Sequence, residues 1–293
     1  MNVQKVPYES PHAHENFTQS LRETGFAVLT DHPIPHQLIF DVYGEWMDFF
    51  NSEEKHRYTF DPKIQSGYFP FRSENAKGYT AKDLKEFFHL YPWSQLPKNM
   101  SDHTWHLFKM LNGLAKELLG WIEQASPEQI RSQYSMPLNQ MVTDSRETLL
   151  RILHYPPLTG THEEGAIRAA AHEDINLITL LVGASADGLQ VMDVEGTWHD
   201  AKAEPHQIMV NVGDMLQRLC NNKLKSTTHR VVNPPKEKWH THRYSIPFFL
   251  HPRSEVRLDC LENCVDEQHP LAYAPISAGE YLDERLREIG LKK

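Results

Sequence analysis

Three side chains in the second half of the chain have the types and spacing of a metal-binding site. His172 and Asp174 are separated by one residue, and His229 follows much later. Residues two apart in an extended strand project to the same side, so His172 and Asp174 could offer a nitrogen and an oxygen to one ion. Two imidazoles and one carboxylate on one face leave up to three octahedral positions open, which is typical of sites that hold Fe(II).

The short histidine and aspartate pattern has little specificity alone, because the chain contains 18 histidines. Any one of them is more often a surface or hydrogen-bonded residue than a ligand. On composition alone, the rival ligands are His162, His199, His206, His240 and His242. A second chemical feature is therefore needed to support the metal site.

That second feature is Arg243, which begins a predicted apolar strand, with Ser245 two residues later on the same face. A guanidinium binds a carboxylate in bidentate fashion, and a neighbouring hydroxyl can add a further hydrogen bond. An unpaired buried charge is costly, so Arg243 needs an anionic partner. Two partners remain open: a bound carboxylate, or an acidic side chain of this chain in a structural salt bridge.

The elements that must position these residues are short strands. Residues 148–155 read as a strand that ends at Pro156 and Pro157. Turn residues separate six further strand candidates, at residues 177–182, 188–192, 196–199, 207–212, 227–232 and 244–251. Many short strands at this spacing indicate a sandwich, a barrel or a jelly roll.

The chain before residue 145 is helix-rich. Apolar spacing predicts helices over residues 15–24, 35–50 and 102–124, a strand over residues 25–30, and a further helix that begins with Ser126 as its cap. Residues 83–90 are compatible with a strand or a short helix. A closing helix is predicted over residues 276–293. We therefore expect three regions: 1–145, 146–252 and 253–293.

Several aromatic residues punctuate the irregular region between residues 51 and 100, among them Tyr68, Phe69, Phe71 and Tyr79. Aromatic side chains in such a region either line an apolar pocket or hold the loops against the core. Both interpretations remain open from the sequence. Pocket-lining residues are expected from residues 60–100 and from the C-terminal segment.

Composition narrows the class of protein. The chain has 30 Lys and Arg against 39 Asp and Glu, a formal net charge of -9, which argues against a nucleic-acid partner. The three cysteines, Cys220, Cys260 and Cys264, are expected to be reduced thiols. Neither a secretory signal nor an apolar run long enough to span a membrane is visible. We expect a cytoplasmic protein with no membrane partner.

Taken together, these motifs resemble the Fe(II)/2-oxoglutarate-dependent dioxygenase superfamily, in its isopenicillin N synthase-like branch. The family pattern is H-x-D, a later His, and then R-x-S, which stands here as residues 172–174, 229 and 243–245. Supporting similarities lie at residues 25–26, 32–35, 151–157, 188–191, 211–214 and 227–234. The resemblance covers nearly the whole chain and is most specific between residues 145 and 252.

The resemblance implies a mixed α and β fold, in which helices flank a double-stranded β-helix, or jelly-roll, core. It implies that His172, Asp174 and His229 bind Fe(II), and that Arg243 and Ser245 hold the distal carboxylate of 2-oxoglutarate. Tyr155 matches a family tyrosine that can contact this co-substrate. The family wording N-Y-Y-P stands here as Leu153-His154-Tyr155-Pro156, so the family asparagine and any hydrogen bond from it are absent.

The implied function is oxidation of a small molecule by hydroxylation, desaturation or cyclisation. Dioxygen and 2-oxoglutarate are consumed, and a ferryl-oxo species abstracts a substrate hydrogen. The first alternative is an Fe(II) oxidase of the same fold that does not consume 2-oxoglutarate, since isopenicillin N synthase also carries R-x-S. A non-catalytic sensor of a small acid and a zinc hydrolase are further alternatives. The sequence predicts neither the substrate nor the oligomeric state.

Overall fold

The computed structural model describes residues 1–75, 78, 80–160 and 165–288. Within this part of the chain, helices and strands alternate before residue 145, and short strands dominate after it. The helices are α1 (Ala13–Thr24), α2 (His36–Asn51), α3 (His103–Gln124), α4 (Glu128–Arg131), α5 (Leu138–Met141), α6 (Asp214–Leu219) and α7 (Ala278–Glu288). The strands are β1 (Lys5–Pro7), β2 (Phe26–Thr30), β3 (Gly67–Phe69), β4 (Glu86–Leu90), β5 (Leu149–Tyr155), β6 (Ala169–His172), β7 (Ile178–Val182), β8 (Leu189–Met192), β9 (Trp198–Asp200), β10 (Ile208–Val212), β11 (His229–Val231) and β12 (Arg243–Leu250).

These strands form two sheets. The larger sheet has the order β1-β2-β10-β7-β12-β5-β4-β3, and the smaller has the order β6-β11-β8-β9. Apart from the parallel pair β1 and β2, neighbouring strands run antiparallel. Strands β1 to β4 come from the helix-rich first part of the chain, yet they complete both edges of the larger sheet. Residues 83–90 thus contain a strand rather than a helix.

The two sheets face each other across an apolar interior. Leu153 and Tyr155 of β5 share one buried cluster with Leu189 and Val191 of β8 and with Val231 of β11. Residues 153 and 155 project to the same side because successive side chains alternate along a strand. This sandwich of two antiparallel sheets is the jelly-roll core that the sequence predicts.

The other face of the larger sheet is covered by helices. The apolar stripe of α3 is buried, as the spacing of Leu107, Leu111, Leu114 and Leu118 predicts. Phe108 of α3 packs edge-on against Phe248 of β12, with ring centres 5.1 Å apart. Strand β12 also begins with Arg243. The packing of α3 against one face of this strand therefore helps to fix the position of Arg243.

Two helix ends differ from the sequence prediction. Ser126 does not cap α4: its hydroxyl donates to the carbonyl of Ile122 in the preceding helix, and Pro127 occupies the cap position. Gly25 does not begin a strand; it ends α1 in the left-handed conformation, at φ 75°. Both residues close a helix rather than begin the next element. Of the predicted closing helix, residues 289–293 lie outside the described residues.

None of the helices in the described part of the chain combines the length and the apolar character that a membrane span requires.

Candidate active site

The three predicted metal ligands lie together at one end of the smaller sheet. His172 on β6 is the direct register partner of His229 on β11, and their ring centres are 4.4 Å apart. The Oδ1 atom of Asp174 lies 3.6 Å from Nε2 of His229 and 3.9 Å from Nε2 of His172. One ligand atom from each residue falls within 4.8 Å of the others. The structure thus brings together residues that are far apart in sequence.

Asp174 reaches this cluster by a route that differs from the strand alternation expected from the sequence. Strand β6 ends at His172, so Asp174 lies beyond it. The backbone carbonyl of Asp174 instead accepts a hydrogen bond from the Asp214 amide at the start of α6, at 2.9 Å. The chain is therefore anchored where it leaves the strand, and this anchoring places the carboxylate next to the two imidazoles.

Each histidine is oriented by a backbone carbonyl. The Nδ1 atom of His172 donates to the carbonyl of Ala170 at 2.8 Å, and that of His229 donates to the carbonyl of Thr227 at 3.1 Å. Since a carbonyl only accepts, Nδ1 carries a proton in both rings, and Nε2 is the nitrogen that faces Asp174. Desolvation, and then the nearby His229, lower the pKa of His172 to about 4, so its neutral form is the one present at pH 7.

The carboxylate of Asp174 is held just as firmly. Its Oδ2 atom accepts hydrogen bonds from the Thr179 hydroxyl at 2.6 Å and from the Asn211 side-chain amide at 2.7 Å. Burial alone would raise the pKa of Asp174, but the two histidines and these hydrogen bonds lower it below its ordinary value. The Oδ1 atom remains directed at the imidazoles. Two imidazole nitrogens and one ionised carboxylate oxygen make the donor set of a facial Fe(II) site.

Arg243, Ser245 and Tyr155 lie next to one another on the larger sheet. Arg243 pairs in register with Tyr155, and Ser245 pairs with Leu153, across β12 and β5. Leu153, which stands where the family has asparagine, contributes to the apolar interior instead. The Cζ atom of Arg243 lies 5.0 Å from the centre of the Tyr155 ring, and both side chains are buried.

Arg243 does not use its charge on an acidic residue of the described chain. Its Nε atom donates to the carbonyl of Ala186 at 3.0 Å, while its buried Nη1 atom has no partner there. The alternative of a structural salt bridge, left open by the sequence, therefore finds no support in the described residues. A buried guanidinium with an unused donor fits a bound carboxylate.

Comparison with known proteins agrees with this geometry. A model of the 2OG-Fe(II) oxygenase superfamily matches residues 146–252, and a model of the N-terminal region of non-haem dioxygenase in morphine synthesis matches residues 4–109. A proline hydroxylase of Petromyces alliaceus is 30% identical over 98% of this chain and 99% of its own. The chain belongs to the 2OG-Fe(II) oxygenase superfamily. It is thus an oxidoreductase that depends on Fe(II) and 2-oxoglutarate.

Solved structures extend the similarity over the whole oxygenase. An oxygenase from Shewanella oneidensis is 43% identical, with a TM-score of 0.84 and 99% of each chain covered. A 2OG-Fe(II) oxygenase family protein from Caulobacter crescentus is 34% identical, with a TM-score of 0.81, covering 98% of this chain and 99% of the other. The predicted family, jelly-roll fold, enzyme class and cofactors are confirmed.

The predicted metal ligands of the oxygenase adjoin a cavity of about 650 Å³. His172 and Asp174 lie in its wall, together with residues 62–65, parts of 74–93 and residues of α7. The sequence predicts that residues 60–100 and the C-terminal segment line the substrate pocket, and both regions contribute to the wall of this cavity. The cavity therefore reaches two of the three predicted metal ligands.

One wall of this cavity is a network of buried charges. Lys85 Nζ lies 2.7 Å from Glu74 Oε2 and 2.8 Å from Asp83 Oδ2. Arg151 binds Glu74 through both terminal nitrogens at 3.4 Å and donates from Nε to His89 at 2.8 Å. Burial alone would raise the pKa of Glu74 and lower that of Lys85, but their charged neighbours outweigh it in both cases. Both groups are therefore ionised at neutral pH.

This wall differs from the apolar slot that the aromatic residues suggested. Tyr68 and Phe69 of β3 are buried in the core, so they hold the loop region in place, while Phe71 is exposed. Tyr79 lies outside the described residues. The charged network also reaches the metal centre, since Asp83 Oδ1 accepts the Ala170 amide at 3.0 Å, two residues before His172.

Sequence reasoning missed Thr179, Asn211 and the charged residues of the cavity wall. Asn211 gave a detectable signal, because it is the polar residue inside a strand whose other members, residues 208–212, are apolar. A polar side chain in a buried strand needs a hydrogen-bond partner. Thr179 gave no such signal, since threonine is common in strands.

Proposed function

We propose that this oxygenase oxidises a polar small molecule at the metal centre formed by His172, Asp174 and His229. The observation that carries the proposal is that these three ligand atoms converge, and that His172 and Asp174 lie in the wall of the 650 Å³ cavity. Bound Fe(II), with 2-oxoglutarate and dioxygen, supplies the oxidising chemistry. The residues of the chain bind, orient and exclude water around it.

In this proposal each ligand has a fixed role. His172 and His229 present their Nε2 lone pairs, because their Nδ1 protons are engaged by backbone carbonyls. Asp174 presents Oδ1, because Oδ2 is occupied by Thr179 and Asn211. Orienting partners of this kind fix ring position and raise metal affinity.

Arg243 and Ser245 are proposed to hold the distal carboxylate of 2-oxoglutarate, with Tyr155 beside them. The unused Nη1 donor of Arg243 supports this role, as does the burial of Ser245 on the same strand face. The fork of a guanidinium matches a carboxylate, whereas a lysine would supply only a point charge.

The charged cavity wall supports a polar substrate. Glu74, Asp83, Lys85 and Arg151 balance one another in charge, so the wall offers both donors and acceptors without a large net field. A substrate with its own donors and acceptors can exchange hydrogen bonds with water for hydrogen bonds with this wall.

The free thiols of Cys220, Cys260 and Cys264 support a cytoplasmic location.

The central test is conversion of 2-oxoglutarate to succinate under air with Fe(II), across a metabolite screen for substrates that accelerate it. His172→Ala and Asp174→Ala are expected to abolish Fe(II) binding and turnover. His199→Ala is the matched control, because His199 on β9 bonds to Asp193 at 2.6 Å and offers no ligand atom to the cluster. Full turnover in either ligand variant would refute the assignment.

The same assay separates the alternatives. Substrate oxidation without release of labelled carbon dioxide from 2-oxoglutarate would indicate the oxidase of the same fold. Thermal stabilisation by a small acid without any turnover would indicate a sensor.

A further inference from the structure

A second arginine lies next to the pair formed by Arg243 and Tyr155. Arg168 precedes β6, and only 1% of its surface is exposed. Its Nη2 atom donates to the carbonyl of Thr241 at 3.1 Å, just before β12. Its Nε atom is buried and has no hydrogen-bond partner among the described residues. Arg168 thus shares with Arg243 a buried donor that the described protein leaves unused.

Both guanidinium groups surround one aromatic ring. The Cζ atom of Arg168 lies 5.9 Å from the centre of the Tyr155 ring, and that of Arg243 lies 5.0 Å from it. Burial, and then the charge of Arg243, lower the pKa of Arg168 to about 10, which still leaves it charged at neutral pH. The positive charges of Arg168 and Arg243 are therefore both buried beside the Tyr155 ring.

Lys85, the other buried lysine or arginine among the described residues, is compensated. Its Nζ atom lies against Glu74 and Asp83 in the cavity wall. For Arg168 and Arg243, the described residues supply no carboxylate within salt-bridge distance. Because an uncompensated buried charge is costly, this contrast indicates that a ligand supplies the missing negative charge.

The position of Arg168 indicates which ligand it contacts, the substrate or 2-oxoglutarate. The described residues that line the metal-side cavity include His172 and Asp174 but neither Arg168 nor Tyr155. Arg168 therefore belongs with the residues proposed to bind 2-oxoglutarate rather than with the substrate cavity. A carboxylate has acceptor sites for about four hydrogen bonds, enough for two guanidiniums and one hydroxyl.

We propose that Arg168 is a second binding residue for the distal carboxylate of 2-oxoglutarate, acting together with Arg243 and Ser245 around Tyr155. This inference rests on the proposed function, because it takes the Arg243 end of the interior as the co-substrate site. Its consequence is a strong preference for a 2-oxo acid with a second carboxylate over one without it.

The experiment compares two ligands by calorimetry on the Mn(II)-loaded protein, so that no turnover is needed. 2-Oxoglutarate is compared with 2-oxopentanoate, which carries a methyl group in place of the distal carboxylate. Arg168→Met should weaken 2-oxoglutarate binding roughly 10- to 100-fold, the effect of losing a charged hydrogen bond. Binding of 2-oxopentanoate should change by less than about 2-fold, because Arg168 has no carboxylate to contact in that ligand.

The matched control is Arg218→Met. Arg218 also has a buried Nε atom without a partner in the described chain, and it lies over Tyr273 and Tyr281, 5.0 and 5.2 Å from their ring centres. It should leave both affinities unchanged. In the absence of ligand, Arg168→Met should keep or raise the melting temperature, because it removes an uncompensated buried charge.

Equal weakening of both ligands would overturn the inference in favour of a structural role, and unchanged 2-oxoglutarate affinity would overturn it outright. Wild-type protein that binds neither ligand, or both equally, would instead refute the proposed co-substrate site itself. If Arg168→Met fails to fold, Arg168→Lys provides the test. It keeps the charge without the fork, so a smaller loss confined to 2-oxoglutarate is expected, and a loss shared by both ligands would overturn the inference.

Discussion

At the scale of single residues, the metal centre depends on side chains that do not offer ligand atoms to it. Thr179 donates to Asp174 Oδ2 and itself accepts a hydrogen bond from Asn176 at 2.8 Å. Asn211 supplies the second donor to the same oxygen. The carboxylate is thereby prevented from turning away from the histidines. The orientation of the Asp174 carboxylate is therefore set by side chains of the neighbouring strands β7 and β10.

Thr179→Val should lower Fe(II) affinity by roughly 10- to 100-fold, because the isosteric change removes the hydroxyl that orients Asp174. Anaerobic titration with Fe(II) or Co(II) measures the effect. Thr18→Val is the control, since Thr18 is a buried threonine on α1 whose hydroxyl, among the described residues, donates to the Trp121 carbonyl and to no group of the cluster. Equal metal affinity in wild type and Thr179→Val would show that the hydrogen bond does not orient the ligand.

His154 shows how alternation separates chemical roles along one strand. Tyr155 faces the interior, while His154 faces the opposite side and bonds to Glu86 at 2.6 Å. Glu86 also accepts hydrogen bonds from Lys55 and Tyr68. His154 is therefore part of a buried polar network rather than a ligand, although it lies next to a residue of the proposed co-substrate site.

At the scale of elements, the junction between α1 and β2 is tied to the strand that carries His229. Gly25 ends α1 in a left-handed conformation, and a Cβ atom there would lie 2.1 Å from Oγ1 of Thr227. Thr227 donates through that oxygen to the carbonyl of Thr24, and its own carbonyl orients His229. A helix end in the N-terminal region thus helps to place a proposed metal ligand.

Gly25→Ala should lower the free energy of unfolding by about 2–4 kcal/mol, from the strained backbone and the steric clash. Metal affinity should fall as well, because Thr227 must shift. Urea unfolding and metal titration measure the two effects. Gly113→Ala is the control: Gly113 lies in α3 with no neighbour within 4 Å of its missing Cβ, so a gain of about 0.5–1 kcal/mol is expected. A stable Gly25→Ala protein with unchanged metal affinity would contradict the proposed link.

At the scale of the whole molecule, the interior is assembled from distant parts of the chain. Phe26 and Val28 of β2 and Phe87 of β4 are buried in the same cluster as Leu153, Tyr155 and Val231. The matched oxygenase region, residues 146–252, therefore supplies only part of the wall around its own site.

A fragment of residues 146–252 should not fold alone, because it lacks four of the eight strands in the larger sheet and the helices that cover it. The full chain should unfold in one cooperative transition, since one apolar cluster extends through α1, α2, α3 and the sheet. Circular dichroism of the fragment and calorimetry of the full chain measure these outcomes. A folded fragment that binds metal would contradict the prediction.

The sequence by itself determined the ligand types, the strand-rich region and the helix α3. Local patterns carry this information: apolar periodicity defines a helix, short β-type runs define strands, and H-x-D with a later histidine defines a donor set. The residue pattern also singled out Arg243 and Ser245 as a carboxylate-binding pair. The family resemblance added Tyr155 and identified the carboxylate as that of 2-oxoglutarate, and these roles remain proposals.

Only the tertiary structure decided what surrounds these residues. The register of β11 against β6 placed His229 beside His172, and the pairing of β12 with β5 placed Arg243 beside Tyr155. The charged cavity wall and the second arginine, Arg168, were invisible in sequence, because their meaning depends on which groups are buried together and which lack partners. Burial and partnership are properties of non-local packing, and a local pattern of residues does not encode them.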